Sequence, residues 1–172
     1  TIGIITSQIL KSLGAGVIVG LDRYKVRMEQ VMRTGLIDII DCNDDDWFEH
    51  AKEMVGKNGA DVVIEATGTP VVLADAIQAV RPGGKVVVGS VYHGHITNFE
   101  PLPIMRKELT IIGAKGPFPY LKTDGTSVVV DVLNKLQNDL KKIITVYEYK
   151  DALKAFEDIK NGSVIKPVIT FK

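Results

Sequence analysis

Cysteine and histidine are scarce in this sequence: among 172 residues there is one cysteine, Cys42, and there are three histidines. A single cysteine excludes an internal disulfide, and so few thiols and imidazoles leave no ligand set for a structural zinc ion. The composition indicates a reducing, cytoplasmic setting. Cys42 has no base nearby in sequence and is interpreted as an inert thiol, while His93 and His95 lack a third ligand and are interpreted as loop histidines.

An excess of either charge and a long apolar run are also missing. The sequence has 21 basic and 21 acidic residues, so it carries no basic surplus for binding a nucleic-acid backbone. No apolar run is long enough to cross a bilayer, and no membrane partner is expected. The acidic run 44–46 is interpreted as a helix N-terminus rather than a cation site. Without repeats or linkers, the chain is predicted to form one domain over residues 1–172.

Helical and strand patterns alternate along the chain. Apolar spacing predicts helices over about 3–13, 25–34, 46–55, 71–80, 127–136 and 150–160. Short apolar runs predict strands over 17–21, 37–41, 61–65, 85–90, 108–113 and 165–171, with a turn at 81–84 and a Gly/Pro-rich loop at 113–125. This alternation indicates an α/β fold, in which right-handed βαβ units form a doubly wound parallel sheet of the Rossmann type.

A glycine and an acid have the spacing of a dinucleotide site in such a sheet. Gly3 would be the third glycine of the phosphate-binding turn, and Asp22 follows 19 positions later, after an apolar strand, where an acid binds the adenosine ribose. Asp22 is equally consistent with a helix N-cap. As a ribose ligand it favours NAD over NADP, although the neighbouring Arg23 could tolerate a 2′-phosphate.

The first strand of this fold and the first two glycines are missing from the sequence, which opens on Thr1 without an initiator methionine. We therefore expect the chain to be a fragment of a longer polypeptide. The first strand is central in the order 3-2-1-4-5-6. Its absence predicts a gap between the strands near Val17 and Val62, or recruitment of a strand from elsewhere.

Three stretches resemble a known family. Thr1-Ile2-Gly3, residues 60–68 (ADVVIEATG) and residues 81–89 (RPGGKVVVG) are similar to the cofactor-binding domain of zinc-dependent medium-chain alcohol dehydrogenases, which include polyol and threonine dehydrogenases. The resemblance implies the NAD(H)-binding domain of an NAD-dependent enzyme that transfers hydride between nicotinamide and a primary or secondary alcohol. The catalytic zinc and its ligands would lie in an N-terminal domain that is absent here. No catalytic or metal-binding residue is therefore assigned, and the fragment alone is expected to be inactive.

The resemblance also implies roles for particular residues. Ile2 and Gly3 would lie by the pyrophosphate, Asp22 would bind the adenosine ribose, and Arg23 with Arg27 would flank the adenosine. Thr67 and Gly68 would contact the nicotinamide ribose, and the backbone of Gly89, Ser90, Ala114 and Lys115 would bind the carboxamide. Lys166 would reach the pyrophosphate where the family often has arginine, although lysine lacks the bidentate fork. Thr67-Gly68 could instead be a plain turn, and Arg27 and Lys166 could be solvated charges.

The expected partners are a small alcohol or carbonyl substrate and a second copy of the chain. The resemblance implies pairing of edge strands across a twofold axis, for which the segment 96–113 and its strand Leu109–Ile112 are the candidate. Pro101 and Pro103 limit how far such pairing can run. Three alternatives stay open: a zinc-free NADPH quinone reductase, a non-enzymatic dinucleotide-binding or dimerisation module, and a methyltransferase, whose sheet would end in an antiparallel hairpin.

Overall fold

The structure, a computed structural model, describes residues 1–34, 37–93, 99–115 and 134–171. His95, most of the predicted loop 113–125 and the start of the predicted helix 127–136 lie outside the described residues. In chain order the elements are α1 (Ile2–Ser12), β1 (Val19–Asp22), α2 (Lys25–Thr34), β2 (Asp38–Asp41), α3 (Trp47–Val55), β3 (Ala60–Glu65), α4 (Pro70–Ala79), β4 (Val80–Val88), α5 (Leu102–Arg106), β5 (Thr110–Gly113), α6 (134–142), β6 (Ile144–Glu148), α7 (Ala152–Lys160) and β7 (Lys166–Thr170).

The chain divides into two compact units. The first unit contains residues 1–47 and 123–172, and the second unit contains residues 48–122. In the first unit, β1 pairs with β2 and β6 pairs with β7, while in the second unit β4 lies between β3 and β5. All of these pairs are parallel, which confirms the predicted α/β class. The strands on either side of the expected missing strand, β1 and β3, belong to different ladders.

Two elements were not predicted from the sequence. Helix α5 has five residues and begins beside two prolines, so it is too short to show a helical period. Strand β6 was missed although Ile144, Thr145 and Val146 are β-branched, a composition typical of strands. The segment between the helices predicted at 127–136 and 150–160 therefore contains a paired strand. Strands β6 and β7 form the last strand pair along the chain, and they are parallel.

The prediction of a separate turn at 81–84 is wrong. These residues fall inside β4, between Val80, which pairs with Ala60, and Lys85, which pairs with Val62. The ladder is irregular at this point, so the segment forms a bulge within the strand rather than a separate turn before it. Helix α6 runs to residue 142, beyond the predicted end at 136.

Each unit has its own apolar cluster. In the first unit, Ile4 of α1 packs with Val31 of α2, Ile143 and Ile165. In the second unit the cluster is formed by α4 and β4 and consists of Leu73, Ala76, Ile77, Val80 and Val86. Among the described residues, no helix is long and apolar enough to cross a membrane.

Replacing Ile77 by alanine is expected to destabilise the chain by about 2–5 kcal/mol, because the side chain is 2% exposed and its removal leaves a cavity. Val71→Ala on the same helix is the matched control, since Val71 is 64% exposed and should change stability by less than about 0.5 kcal/mol. Urea unfolding monitored by circular dichroism measures both values. Equal effects of the two substitutions would contradict the assigned core.

Candidate functional site

Asp22 is the last residue of β1, and both of its carboxylate oxygens have partners. Oδ1 accepts hydrogen bonds from the backbone N–H groups of Arg23 (2.8 Å) and Tyr24 (3.0 Å), which lie just before α2. Oδ2 accepts one from Nη1 of Arg27 at 3.3 Å. The carboxylate of Asp22 therefore holds the turn between β1 and α2, but Asp22 is not the N-cap residue of α2, because the first helical hydrogen bond runs from the Met28 amide to the Tyr24 carbonyl. Since each carboxylate oxygen can accept about two hydrogen bonds, Oδ2 keeps the capacity to accept from a further donor.

Two guanidinium groups flank the ring of Tyr24 beside Asp22. The Arg27 guanidinium carbon lies 4.7 Å from the ring centroid, and that of Arg23 lies 5.3 Å from it. Both distances are within cation–π range. Arg27 is thus held by Tyr24 and by Asp22 together, and it is not a freely solvated charge.

The start of α1 lies near the same group. The Thr1 hydroxyl donates to the carbonyl of Ile165 at 3.0 Å, which ties the helix start to the residue before Lys166. The charges of Arg27, Asp22 and Lys166 all act at the position of Thr1. Among the described residues no side chain caps α1, and its first turn has no acid, so its exposed amide groups and two cations form an electropositive corner. The structure thereby brings Ile2, Gly3, Asp22, Arg27 and Lys166 together.

A second group of predicted residues follows the three strands of the second unit. Glu65 pairs with Val88, and Val88 pairs with Gly113, so β3, β4 and β5 end side by side. Backbone hydrogen bonds continue past the strand ends, from Gly89 N to the Glu65 carbonyl (2.9 Å) and from Ala114 N to the Val88 carbonyl (2.8 Å). The predicted residues that share this edge are Thr67, Gly68, Gly89, Ser90, Ala114 and Lys115.

Gly68, Gly89 and Gly3 differ in whether the local backbone and packing require glycine. Gly68 has φ +73°, and a Cβ there would lie 2.4 Å from the carbonyl oxygen of Val91, so the turn itself requires it. A Cβ on Gly89 would come no closer than 3.5 Å to its nearest neighbour, and one on Gly3 would meet nothing within 4 Å. Packing among the described residues explains Gly68 but does not explain Gly3 or Gly89.

Sequence reasoning missed Glu65 and Tyr92, which belong to what we call the Glu65 cluster: Glu65, Thr67, Gly68, Ser90 and Tyr92. Glu65 is 2% exposed. Its Oε1 accepts from the Thr67 amide (2.6 Å), the Thr67 hydroxyl (2.6 Å) and the Gly68 amide (3.1 Å). Its Oε2 accepts from the hydroxyls of Ser90 and Tyr92. An acid ending an apolar strand was the signal in the sequence, because a buried carboxylate must find donors.

These contacts set the protonation states in the Glu65 cluster. Burial by itself would raise the pKa of Glu65, but the hydrogen bonds from Ser90, Thr67 and Tyr92 outweigh it and leave the pKa below its ordinary value. Burial, together with the hydrogen bond to Glu65 and its negative charge, raises the pKa of Tyr92 to about 12. Glu65 is therefore ionised and Tyr92 is neutral near pH 7.

The described residues contain no group of three His, Cys, Asp or Glu side chains that could hold a metal ion. His93 is exposed, and Cys42 is half-buried. The acidic run 44–46 directly precedes α3, and the Trp47 amide donates to the Asp44 carbonyl at 3.3 Å. The run therefore lies at a helix N-terminus, as predicted.

The lowered pKa of Glu65 predicts a pH dependence of stability. Its ionised form stabilises the folded chain above the ordinary value of 4.5, and this contribution is lost as the pH falls through the lower folded-state pKa. In urea unfolding between about pH 5 and pH 3, stability should therefore fall less steeply for Glu65→Gln than for the wild type. Asp61→Asn, at an 81% exposed carboxylate on the same strand, is the control and should keep the wild-type slope. Parallel slopes for wild type and Glu65→Gln would contradict the role of this carboxylate.

The chain is similar to known proteins over nearly its whole length. Residues 1–122 match the family model described as zinc-binding dehydrogenase. Probable D-xylulose reductase A of Aspergillus clavatus is 31% identical over 98% of this chain and 47% of its own length, and sorbitol dehydrogenase of Halalkalibacterium halodurans is 28% identical over 98% and 49%. The chain thus spans about half the length of these relatives.

Solved structures agree with this assignment. The 2R,3R-butanediol dehydrogenase of Bacillus subtilis superimposes with a TM-score of 0.79 at 27% identity, covering 99% of this chain and 48% of that one. Benzyl alcohol dehydrogenase of Acinetobacter calcoaceticus, at 23% identity and a TM-score of 0.82 over 99% of this chain and 47% of that one, shares the fold. The predicted Rossmann-type fold and the family resemblance are both confirmed: the chain belongs to the zinc-binding dehydrogenase family.

Proposed function

We propose that this chain is the NAD(H)-binding part of an NAD-dependent alcohol or polyol dehydrogenase. One observation carries the proposal: Asp22, at the end of β1, keeps acceptor capacity beside the uncapped start of α1 and the cations Arg27 and Lys166. A ribose diol needs an acceptor and a pyrophosphate needs amide groups and positive charge. The residues present fit both requirements.

The first unit would hold the adenosine and pyrophosphate portions of NAD(H). Ile2 and Gly3 would offer backbone amides to the pyrophosphate, and the open space at Gly3 supports a close approach of phosphate oxygens. Arg27 and Lys166 would add charge, with lysine acting as a point charge rather than a bidentate fork. Asp22 would accept from the ribose hydroxyls, and Arg23 would flank the adenosine.

The second unit would hold the nicotinamide portion. Thr67 and Gly68 would lie at its ribose, and backbone groups of Gly89, Ser90, Ala114 and Lys115 would bind the carboxamide. The uncrowded Gly89 supports such an approach, because packing does not require glycine there. Bound nicotinamide would supply the hydride chemistry, and the residues of this chain would bind and orient its ring.

The complete enzyme would be about twice the length of this chain, as its relatives are. We propose that its other half carries a catalytic zinc that polarises the oxygen of an alcohol or carbonyl substrate. The names of the relatives, D-xylulose reductase and sorbitol dehydrogenase, favour polyols as the substrate class. On this proposal the present chain has no dehydrogenase activity by itself.

Of the alternatives, the methyltransferase loses its structural basis because the final strands, β6 and β7, pair in parallel and not as an antiparallel hairpin. The NADPH-dependent quinone reductase keeps one supporting observation, since the guanidinium groups of Arg23 and Arg27 both lie over the ring of Tyr24 next to Asp22. The carboxylate of Asp22 counts against it, because it would repel a 2′-phosphate.

Asp22→Asn tests the cofactor assignment. Asparagine keeps a side-chain oxygen that can accept from the Arg23 and Tyr24 amides and should keep the turn before α2 in place, but it removes the charge that favours a ribose diol over a phosphate. We expect NADH affinity to fall about tenfold and the preference for NADH over NADPH to shrink or reverse, because one charged hydrogen bond is worth about 1.5–3 kcal/mol. Fluorescence titration with both nucleotides measures this.

Asp38→Asn is the control for this experiment. Asp38 is an exposed acid at the first residue of β2, where it pairs with Val19 at the end of β1 opposite to Asp22. It should leave both affinities unchanged. Tighter wild-type binding of NADPH than of NADH would overturn the assignment to NAD.

We also propose that two copies of the chain associate through β5. This strand pairs only with β4 among the described strands, and all four of its residues are exposed, including Ile111 and Ile112 at 41% each. An exposed edge with apolar side chains is a template for pairing with another strand. Leu109, predicted as the start of this strand, packs instead against the apolar cluster of the second unit.

Light scattering at micromolar concentration is expected to give the mass of a dimer. Ile111→Lys should shift the mass to that of a monomer, because a lysine would be buried in the pairing surface. Val91→Lys, at a residue 74% exposed outside the strands, should leave the dimer intact. A wild-type monomer would count against the proposal.

A further inference from the structure

The Glu65 cluster is more fully hydrogen-bonded than a binding carboxylate would be. Glu65 accepts five hydrogen bonds, three at Oε1 and two at Oε2. A carboxylate offers about four lone-pair sites, so Glu65 has no acceptor left for a ligand. Its effect on any ligand must therefore pass through the groups that donate to it.

Three of those donors are hydroxyls, and a hydroxyl has only one proton. The hydroxyls of Thr67, Ser90 and Tyr92 each give that proton to Glu65. Toward any other group they can present only lone pairs, as Thr67 Oγ1 does when it accepts from the Thr69 amide at 3.1 Å. The ionised state of Glu65, supported by its lowered pKa, keeps all three protons directed inward.

These hydroxyls remain within reach of a ligand. Thr67 is exposed, and Ser90 and Tyr92 are half-buried, whereas the carboxylate behind them is 2% exposed. They follow β3 and β4, at the edge where the carboxyl ends of parallel strands form binding sites in open α/β sheets. A ligand placed at this edge would meet three acceptors and no hydroxyl donor from the cluster.

We infer that Glu65 is a positioning residue that fixes the three hydroxyls of its cluster as acceptors, so that this edge selects a ligand group that donates hydrogen bonds. A carboxamide or a ribose hydroxyl fits this requirement. A carboxylate or phosphate is rejected, because its oxygens offer only lone pairs to hydroxyl oxygens that also offer only lone pairs. The inference rests on the proposed function, because it specifies the chemistry of the proposed nicotinamide end of the site.

The test compares NAD with the dinucleotide that carries nicotinic acid in place of nicotinamide, since the two differ only in amide against carboxylate. By isothermal titration calorimetry the wild-type chain should bind the amide form at least about tenfold more tightly, the equivalent of one lost hydrogen bond to a charged group. In Glu65→Gln the new amide can donate to Ser90 and Tyr92, whose protons then turn outward. The preference should shrink by about tenfold.

A second set of variants separates hydroxyl direction from simple repulsion between two carboxylates. Ser90→Ala with Tyr92→Phe retains the Glu65 side chain but removes two of the oriented hydroxyls, and the preference should shrink here too. Adding Glu65→Gln to this double variant should then change little. Because the double variant retains Glu65, it gives a result even if Glu65→Gln does not fold. Asp61→Asn, the exposed acid of the same strand, should keep the wild-type preference.

Each outcome decides the inference. A preference that Glu65→Gln reduces equally in the presence and absence of the hydroxyls would show plain charge repulsion and would overturn it. Equal wild-type affinity for both dinucleotides would also overturn it, while leaving the proposed function intact. Binding of neither dinucleotide would instead refute the proposed function, and the inference with it.

Discussion

Parallel pairing of the strands is the constraint on which the rest of the structure depends. Every ladder among the described strands is parallel, so neighbouring strands end at the same edge although they are far apart in sequence. Glu65, Val88 and Gly113 are thereby aligned, and the residues after them form one edge. Asp22 and Asp41 are aligned in the same way. In the second unit, the candidate binding residues are loop residues that these strand ends place.

Two of the acids that end strands, Asp22 and Glu65, have surroundings that give them different capacities. Asp22 accepts three hydrogen bonds, and its side chain is 20% exposed. Glu65 accepts five and is 2% exposed. With about four lone-pair sites in a carboxylate, Asp22 can still accept from a ligand and Glu65 cannot. Acids at the ends of β1 and β3 are thus proposed for different roles, Asp22 for contact with a ligand and Glu65 for orientation of the groups that donate to it.

The sequence predicted what depends on local pattern. Helix α2 has the predicted bounds, Lys25–Thr34, and its buried residues Met28 and Val31 have the three-residue spacing of one helical face. Helix α5 was not predicted, because five residues beside two prolines are too few to show a helical period of apolar residues. The alternation of helices and strands also predicted the class of the fold, since parallel strands require crossover connections. The bulge at 81–84 could not be predicted, because the residues are those of a turn and only the pairing of Val80 and Lys85 with β3 places them inside a strand.

The candidate site also combines features that local sequence pattern predicts with features that depend on contacts between distant residues. Spacing predicted that Asp22 lies at a strand end. The structure adds that Asp22, Arg27 and Lys166 all lie near the start of α1, from which Lys166 is far in sequence. Glu65 was visible as an acid ending an apolar strand, but its burial was not. That burial depends on Ser90 and Tyr92, which come 25 and 27 residues later and reach back to the same oxygen. No local pattern records such a contact.

Asp22 can hold the turn before α2 and still accept from a further donor, because the two tasks use different oxygens. Oδ1 is occupied by the Arg23 and Tyr24 amides, which fixes the carboxylate, and Oδ2 has one long contact with Arg27. The contact also offsets the charge of Arg27, which would otherwise attract a 2′-phosphate. On the proposed function, a preference for NAD would therefore depend on the Asp22–Arg27 pair rather than on the acid alone. Loss of the Asp22 charge would both remove the proposed ribose acceptor and release Arg27 to bind phosphate.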